Sequence, residues 1–162
     1  GYPYSEGIAE DINKVLMSEL FFNKSVEFDN VLTEYINFEY SPDVTDDVKQ
    51  LISLLEYNQS LCETEKRCDL EKAEEAEALA EKINKCPTLQ KDYWRWRILY
   101  IRAKLEKERL TLVCQGIHPH KAEWSENAKE YMRELNRIYC FEGKYTGVLS
   151  DNHSWVSPPI YL

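Results

Sequence analysis

Residues 45–85 contain neither glycine nor proline, and beyond Cys86-Pro87 the chain again lacks both until Gly116. These two residues are the strongest interrupters of regular backbone, so long intervals without them restrict the fold more than any other feature. The few present gather at residues 1–7, Ser41-Pro42, Cys86-Pro87, 116–119 and 143–159. A β-sandwich needs turn signals about every 8–12 residues, and this spacing does not supply them. It predicts an all-α protein: a five- to six-helix bundle around a central helix near residues 88–115. A chain of 162 residues fits one domain with a sizeable core. The expected layout is a bundle over 1–142 and an extended segment over 143–162 packed on the same domain.

Apolar periodicity places the helices. Ser5 is the candidate cap of a helix over residues 6–22, with Ile8, Ile12, Val15, Leu16 and Leu20 on one face. Ser25 is the candidate cap of a second, reaching Tyr40, whose stripe reads Phe28, Val31, Leu32, Tyr35 and Phe38. Pro42 closes it, because a residue before proline is driven out of the helical region. Thr45-Asp46-Asp47 reads as a cap and an acidic first turn, opening Val48, Leu51, Ile52 and Leu55. That stripe lapses over residues 58–66 and resumes at Ala73, Ala76, Leu79, Ala80 and Ile83. Two helices joined near residues 58–64 are therefore expected. The second, "EKAEEAEALAEK", buries a thin seam.

The segment "DYWRWRILYIRAKLEKERL" (residues 92–110) alternates arginine with aromatic and aliphatic side chains. It reads either as a basic aromatic surface for nucleic acid or as a buried spine. Leu89, Tyr93, Trp96, Tyr100, Ala103, Leu110 and Cys114 recur at helical spacing. Trp94, Ile98, Ile101, Leu105 and Leu112 form a second set about 100° away. Rings that stack on bases must be exposed, whereas these share the spacing of leucines and isoleucines. The buried spine is the reading adopted. Arg95, Arg102 and Arg109 then fall on the remaining polar face, where the carboxylates of residues 69–81 are the expected partners. Gly116 is the expected left-handed cap. A last amphipathic helix follows Pro119, with Trp124, Ala128, Tyr131, Leu135 and Ile138 on one face. After Gly143 the periodicity stops, and an irregular tail or small hairpin is expected.

The net charge of −9 argues against nonspecific binding to nucleic acid or anionic membrane. It is uneven: residues 1–45 carry 9 acids and 2 bases (−7), and residues 87–115 carry 3 and 7 (+4). No apolar run reaches the roughly 18–20 residues that a membrane span requires. Five spread cysteines without a C-x-x-C pair favour reduced thiols inside a cell. Three N-x-[ST] sequons, at Asn23, Asn58 and Asn152, keep a secreted or cell-surface setting open.

No catalytic, cofactor-binding or metal site is expected. Cys114, His118, His120 and Cys140 match no established zinc spacing, and there is no P-loop, G-x-G-x-x-G or H-E-x-x-H. The expected function is a non-enzymatic protein–protein interaction or scaffold domain, or one subunit of a larger assembly. Its partner would be another protein with a basic surface; no nucleic acid and no membrane span are expected. Tyr2, Tyr4, Tyr145, Trp155 and Tyr161 are the candidate interface, because exposed Tyr and Trp are enriched at binding hot spots. The alternatives are a secreted or cell-surface receptor-binding protein with disulfides and glycans, and an enzyme with a Cys/His site near residues 114–140.

Overall fold

A computed structural model describes residues 11–65, 67–117 and 123–139. Six α-helices account for most of them: α1 (Asp11–Phe22), α2 (Phe28–Glu39), α3 (Thr45–Glu65), α4 (Leu70–Ile83), α5 (Trp94–Cys114) and α6 (Glu126–Tyr139). A short 3-10 turn, Pro42–Val44, joins α2 to α3. The all-α bundle expected from the spacing of glycine and proline is what forms. The expected tail over 143–162 lies outside the described residues.

Several boundaries have a local cause. At the α1–α2 turn, Asn23 Oδ1 accepts the Ser25 N–H at 3.0 Å, so Ser25 belongs to the turn and α2 begins two residues later than a Ser25 cap implies, with Glu27 at its N-cap. Ser41 Oγ accepts the Asp43 N–H at 3.2 Å and starts the 3-10 turn. α3 starts at Thr45 with Asp46 and Asp47 in its first turn as read, but Thr45 is itself helical and its hydroxyl donates to Asn37 Oδ1 and Pro42 O instead of capping. The helix also runs seven residues past Asn58 to Glu65. The expected break near 58–64 is thus misplaced. Asn58 is buried (1% exposed), and its Oδ1 accepts the Asp69 N–H at 3.0 Å. A polar residue in the apolar stripe is therefore a tie to the next helix rather than a break. Asp69 in turn caps α4, accepting the Lys72 N–H at 3.1 Å.

Gly116 adopts φ +73, and the Ile117 and Gly116 N–H groups reach Leu112 O and Val113 O, both at 2.9 Å. That pairing is the Schellman closure expected of a left-handed glycine. α6 opens at Ser125, whose Oγ accepts the Ala128 N–H at 3.1 Å; Pro119 lies outside the described residues.

The core sits around α5. Trp96, Ile101, Ala103 and Leu110 are fully enclosed, and Ile98, Leu99, Tyr100 and Leu105 are buried beside them. Burial on so many sides follows from an apolar surface wider than one stripe. α4 packs against both α3 and α5 through Ala73, Ala76, Ala80 and Ile83. Small side chains there let the helices approach closely. α6 covers α5 through Ala128 and Leu135, with Trp124, Tyr131 and Ile138 partly buried, so its stripe is as expected.

Several positions depart from the periodic reading. Trp94 begins α5 and remains 39% exposed, with the Arg95 guanidinium 4.3 Å from its ring centroid. Cys114, assigned to the same helix's buried stripe, is exposed at its end. Phe28 and Phe38 are exposed as well. The core face of α2 is Val31, Leu32, Tyr35 and Ile36. Phe38 points about 90° away from its centre, whereas Phe28 shares its direction but precedes the first buried turn.

Candidate functional site

The basic residues of α5 are engaged internally, though not as the sequence suggests. Arg95 Nε lies 2.7 Å from Asp11 Oδ2, and its Nη1 lies 3.2 Å from Glu39. Burial disfavours the Arg95 charge, but the hydrogen bond and charge of Asp11 outweigh it and hold the guanidinium more firmly protonated. Arg97 grips Glu134 of α6 in a bidentate pair at 2.6 and 2.8 Å. Arg109 is buried with Glu106 of its own helix at 2.8 Å. The expected α4 carboxylates do face α5, but lysines meet them: Lys104 reaches Glu77 at 2.6 Å and Glu81 at 3.0 Å, and Lys107 reaches Glu77 at 2.7 Å. The assignment of Arg95 and Arg109 to residues 69–81 is corrected accordingly: Arg95 turns toward α1 and α2 and Arg109 toward Glu106 of its own helix, while Lys104 and Lys107 lie along the α4 seam.

Behind this ring of charges runs a continuous set of aromatic contacts. Tyr35, Tyr40, Trp96, Tyr100 and Tyr131 stack edge-on or tilted, with successive centroids 5.7, 5.9, 6.1 and 6.4 Å apart. Their polar tips are satisfied in part by Asn84, which accepts Trp96 Nε1–H at 2.9 Å, and by Glu81, which accepts the Tyr100 hydroxyl at 2.7 Å. Burial is the largest reason that the Tyr35, Tyr40 and Tyr100 hydroxyls resist ionisation. These rings knit α2, α5 and α6 together.

Two recesses border the set. One of about 150 Å³ is lined by Asp11, Tyr35, Ile52, Gln59, Arg95 and Arg102. The other, about 270 Å³, is lined by Glu77, Lys104, Lys107, Glu108, Ser125 and Tyr131. The Arg95–Asp11 pair lies in the wall of the first, and the Lys104–Glu77 and Lys107–Glu77 pairs in the wall of the second. Among the described residues no three His, Cys, Asp or Glu side chains are placed to hold a metal ion. No helix among them is long and apolar enough to cross a membrane.

Tyr2, Tyr4, Tyr145, Trp155 and Tyr161, together with His118, His120 and Cys140, lie outside the described residues. The apolar surface that is described lies elsewhere, at the α1–α2 corner. Phe22 is 90% exposed, Phe21 and Phe28 are each 54% exposed, and Met17 and Leu20 stand open beside them on α1. Single exposed apolar side chains are ordinary; here five open apolar side chains fall within residues 17–28. The stretch that carries them is acidic in sequence: residues 11–40 hold six carboxylates (Asp11, Glu19, Glu27, Asp29, Glu34, Glu39) against two lysines (Lys14, Lys24), of which Asp11 and Glu39 face Arg95 and Asp29 faces Lys49. Periodicity concealed this corner by assigning Phe28 and Leu20 to buried stripes. The signal available was the run Leu20-Phe21-Phe22, since three consecutive helical residues span about 200° and cannot all face one core stripe.

No family model, curated protein or solved structure matches this chain.

Proposed function

We propose that the protein is a non-enzymatic helical interaction module, and that its α1–α2 corner receives a partner segment presenting apolar anchors within a basic surround. The observation that carries this reading is the exposed group Met17, Leu20, Phe21, Phe22 and Phe28 inside a strongly acidic stretch. Aromatic anchors supply most of the energy in small interfaces, while opposite charge around them selects the partner and speeds encounter. Nucleic acid is disfavoured because the Arg95, Arg97 and Arg109 guanidiniums already face carboxylates.

The secreted, receptor-binding alternative draws support from Asn23, which is exposed in the α1–α2 turn within the sequon Asn23-Lys24-Ser25. The sequon at Asn58 works against it, because the amide nitrogen that a glycan would occupy is buried.

The test uses two synthetic amphipathic helical peptides with the same leucine pattern, one with lysine and one with glutamate on the polar face. The full chain should bind the lysine peptide, with affinity falling as salt rises. The paired change Phe22→Asp and Phe28→Asp should weaken binding at least about tenfold, the loss of one anchoring contact. Equal binding of the glutamate peptide, or unchanged affinity in the double variant, would overturn the reading. Self-association that the double variant abolishes would replace the foreign partner with a second copy of the chain.

A further inference from the structure

Three of the four described cysteines converge at one end of the bundle, although 52 positions separate the first from the last (62 to 114). Cys62 lies on α3, Cys68 in the α3–α4 connection, and Cys114 at the last residue of α5. A small second core of Cys62, Ala73 and Leu110, with Cys68 and Leu70 against it, holds them there. The Sγ atoms of Cys68 and Cys114 are 3.0 Å apart, about 1 Å beyond the roughly 2.05 Å of a disulfide bond. Cys62 is buried, and its sulfur accepts a hydrogen bond from Arg109 Nη2 at 3.9 Å. Cys86 belongs elsewhere, against Thr88 in the α4–α5 turn at 3.2 Å.

We propose that Cys68 and Cys114 form a thiol-modification site that closes to a disulfide on exposure to a low-molecular-weight disulfide such as oxidised glutathione. The two thiols differ in access. Cys114 is exposed, whereas Cys68 is half-buried, so Cys114 meets the oxidant first. Its thiolate attacks one sulfur of the small disulfide, forms a mixed disulfide and expels one small thiolate. Cys68 then gives its proton to solvent, and its thiolate attacks Cys114 Sγ and expels the second. In total the protein loses two hydrogens and gains one S–S bond, while the oxidant is reduced to two thiols. The closed bond ties the α3–α4 connection to the end of α5.

The surroundings of Cys68 set the pace. Burial first, and then the hydrogen bond with Cys114, push its thiol up to about 12; the charges of Cys114 and Cys62 add to this, and Arg109, itself paired to Glu106, opposes it. Because the attacking species is the thiolate, closure should quicken as pH rises from 7 to 9.

The test treats the full chain with oxidised glutathione and maps linked peptides by mass spectrometry without reductant. The expected product is a Cys68–Cys114 link, unchanged in Cys86→Ser and lost in Cys114→Ser. The oxidised wild-type chain should also melt about 5–15 °C higher, as closure of a loop this long implies. A dominant Cys62–Cys68 or Cys114–Cys140 link, or a lasting glutathione adduct on Cys114, would overturn the assignment. Retention of all five thiols would do the same. The wild-type map stands whether or not any variant folds.

Discussion

Trp94 and Trp96 are two residues apart and have opposite fates. The first lies open under the Arg95 guanidinium. The second is fully enclosed and donates its ring N–H to Asn84. Trp96→Ala should therefore cost about 3–5 kcal/mol of unfolding free energy, as large aromatic deletions from a core do. Trp94→Ala should cost under about 1 kcal/mol, within the range of exposed positions; chemical denaturation of both variants gives the comparison. Arg109 and Glu106 provide a second contrast. Their pair is nearly solvent-free, with side-chain exposures of 4% and 2%. Removing one partner of a buried pair leaves the other charge uncompensated. Glu106→Gln should thus destabilise by about 3–5 kcal/mol, whereas Glu130→Gln, on the exposed Arg133 and Arg137 pairs of α6, should leave the denaturation midpoint nearly unchanged.

At the scale of elements, the α4–α5 seam is the most charged contact in the bundle. Burial alone would raise the Glu77 carboxyl, but bonds from Lys104 and Lys107 hold it below its ordinary 4.5. The Tyr100 hydroxyl and then Lys104 lower Glu81 from the same value. A depressed carboxyl contributes stability that is complete above its unfolded value and disappears as pH falls through the folded one. These two groups should therefore leave stability flat between pH 7 and 5 and reduce it below about 4.5. Thermal melts of wild type and Glu77→Gln across that range should converge at the acid end. A constant gap from pH 7 to 3 would contradict the assignment.

The seam also shows what periodicity can read. The break at Cys86-Pro87 between α4 and α5 and the glycine closure at Gly116 are local consequences of sequence, and both were legible. Whether arginine or lysine meets Glu77 depends on side-chain reach across three dimensions, which spacing does not encode. The length of α3 was hidden for a similar reason: Asn58 resembles an interruption until the Asp69 N–H that it accepts is in place.

For the whole molecule, the aromatic spine is enclosed and Arg95, Arg97 and Arg109 are paired, while the α1–α2 corner gathers five of the exposed apolar side chains: Met17, Leu20, Phe21, Phe22 and Phe28. Helical fold class followed from breaker spacing alone, whereas this corner did not. Leu20 and Phe28 keep the direction of their stripes, but Leu20 follows the buried Leu16 of α1 and Phe28 precedes Val31, the first buried residue of α2. Periodicity reports direction around a helix; it does not report where the neighbouring helices stop. The decisive measurement is hydrogen–deuterium exchange of the full chain with and without saturating lysine-faced peptide. Slowed exchange concentrated in α1, the 23–27 turn and the first turns of α2 is the outcome this account predicts. Protection centred on α5, with α1 and α2 unchanged, would contradict it.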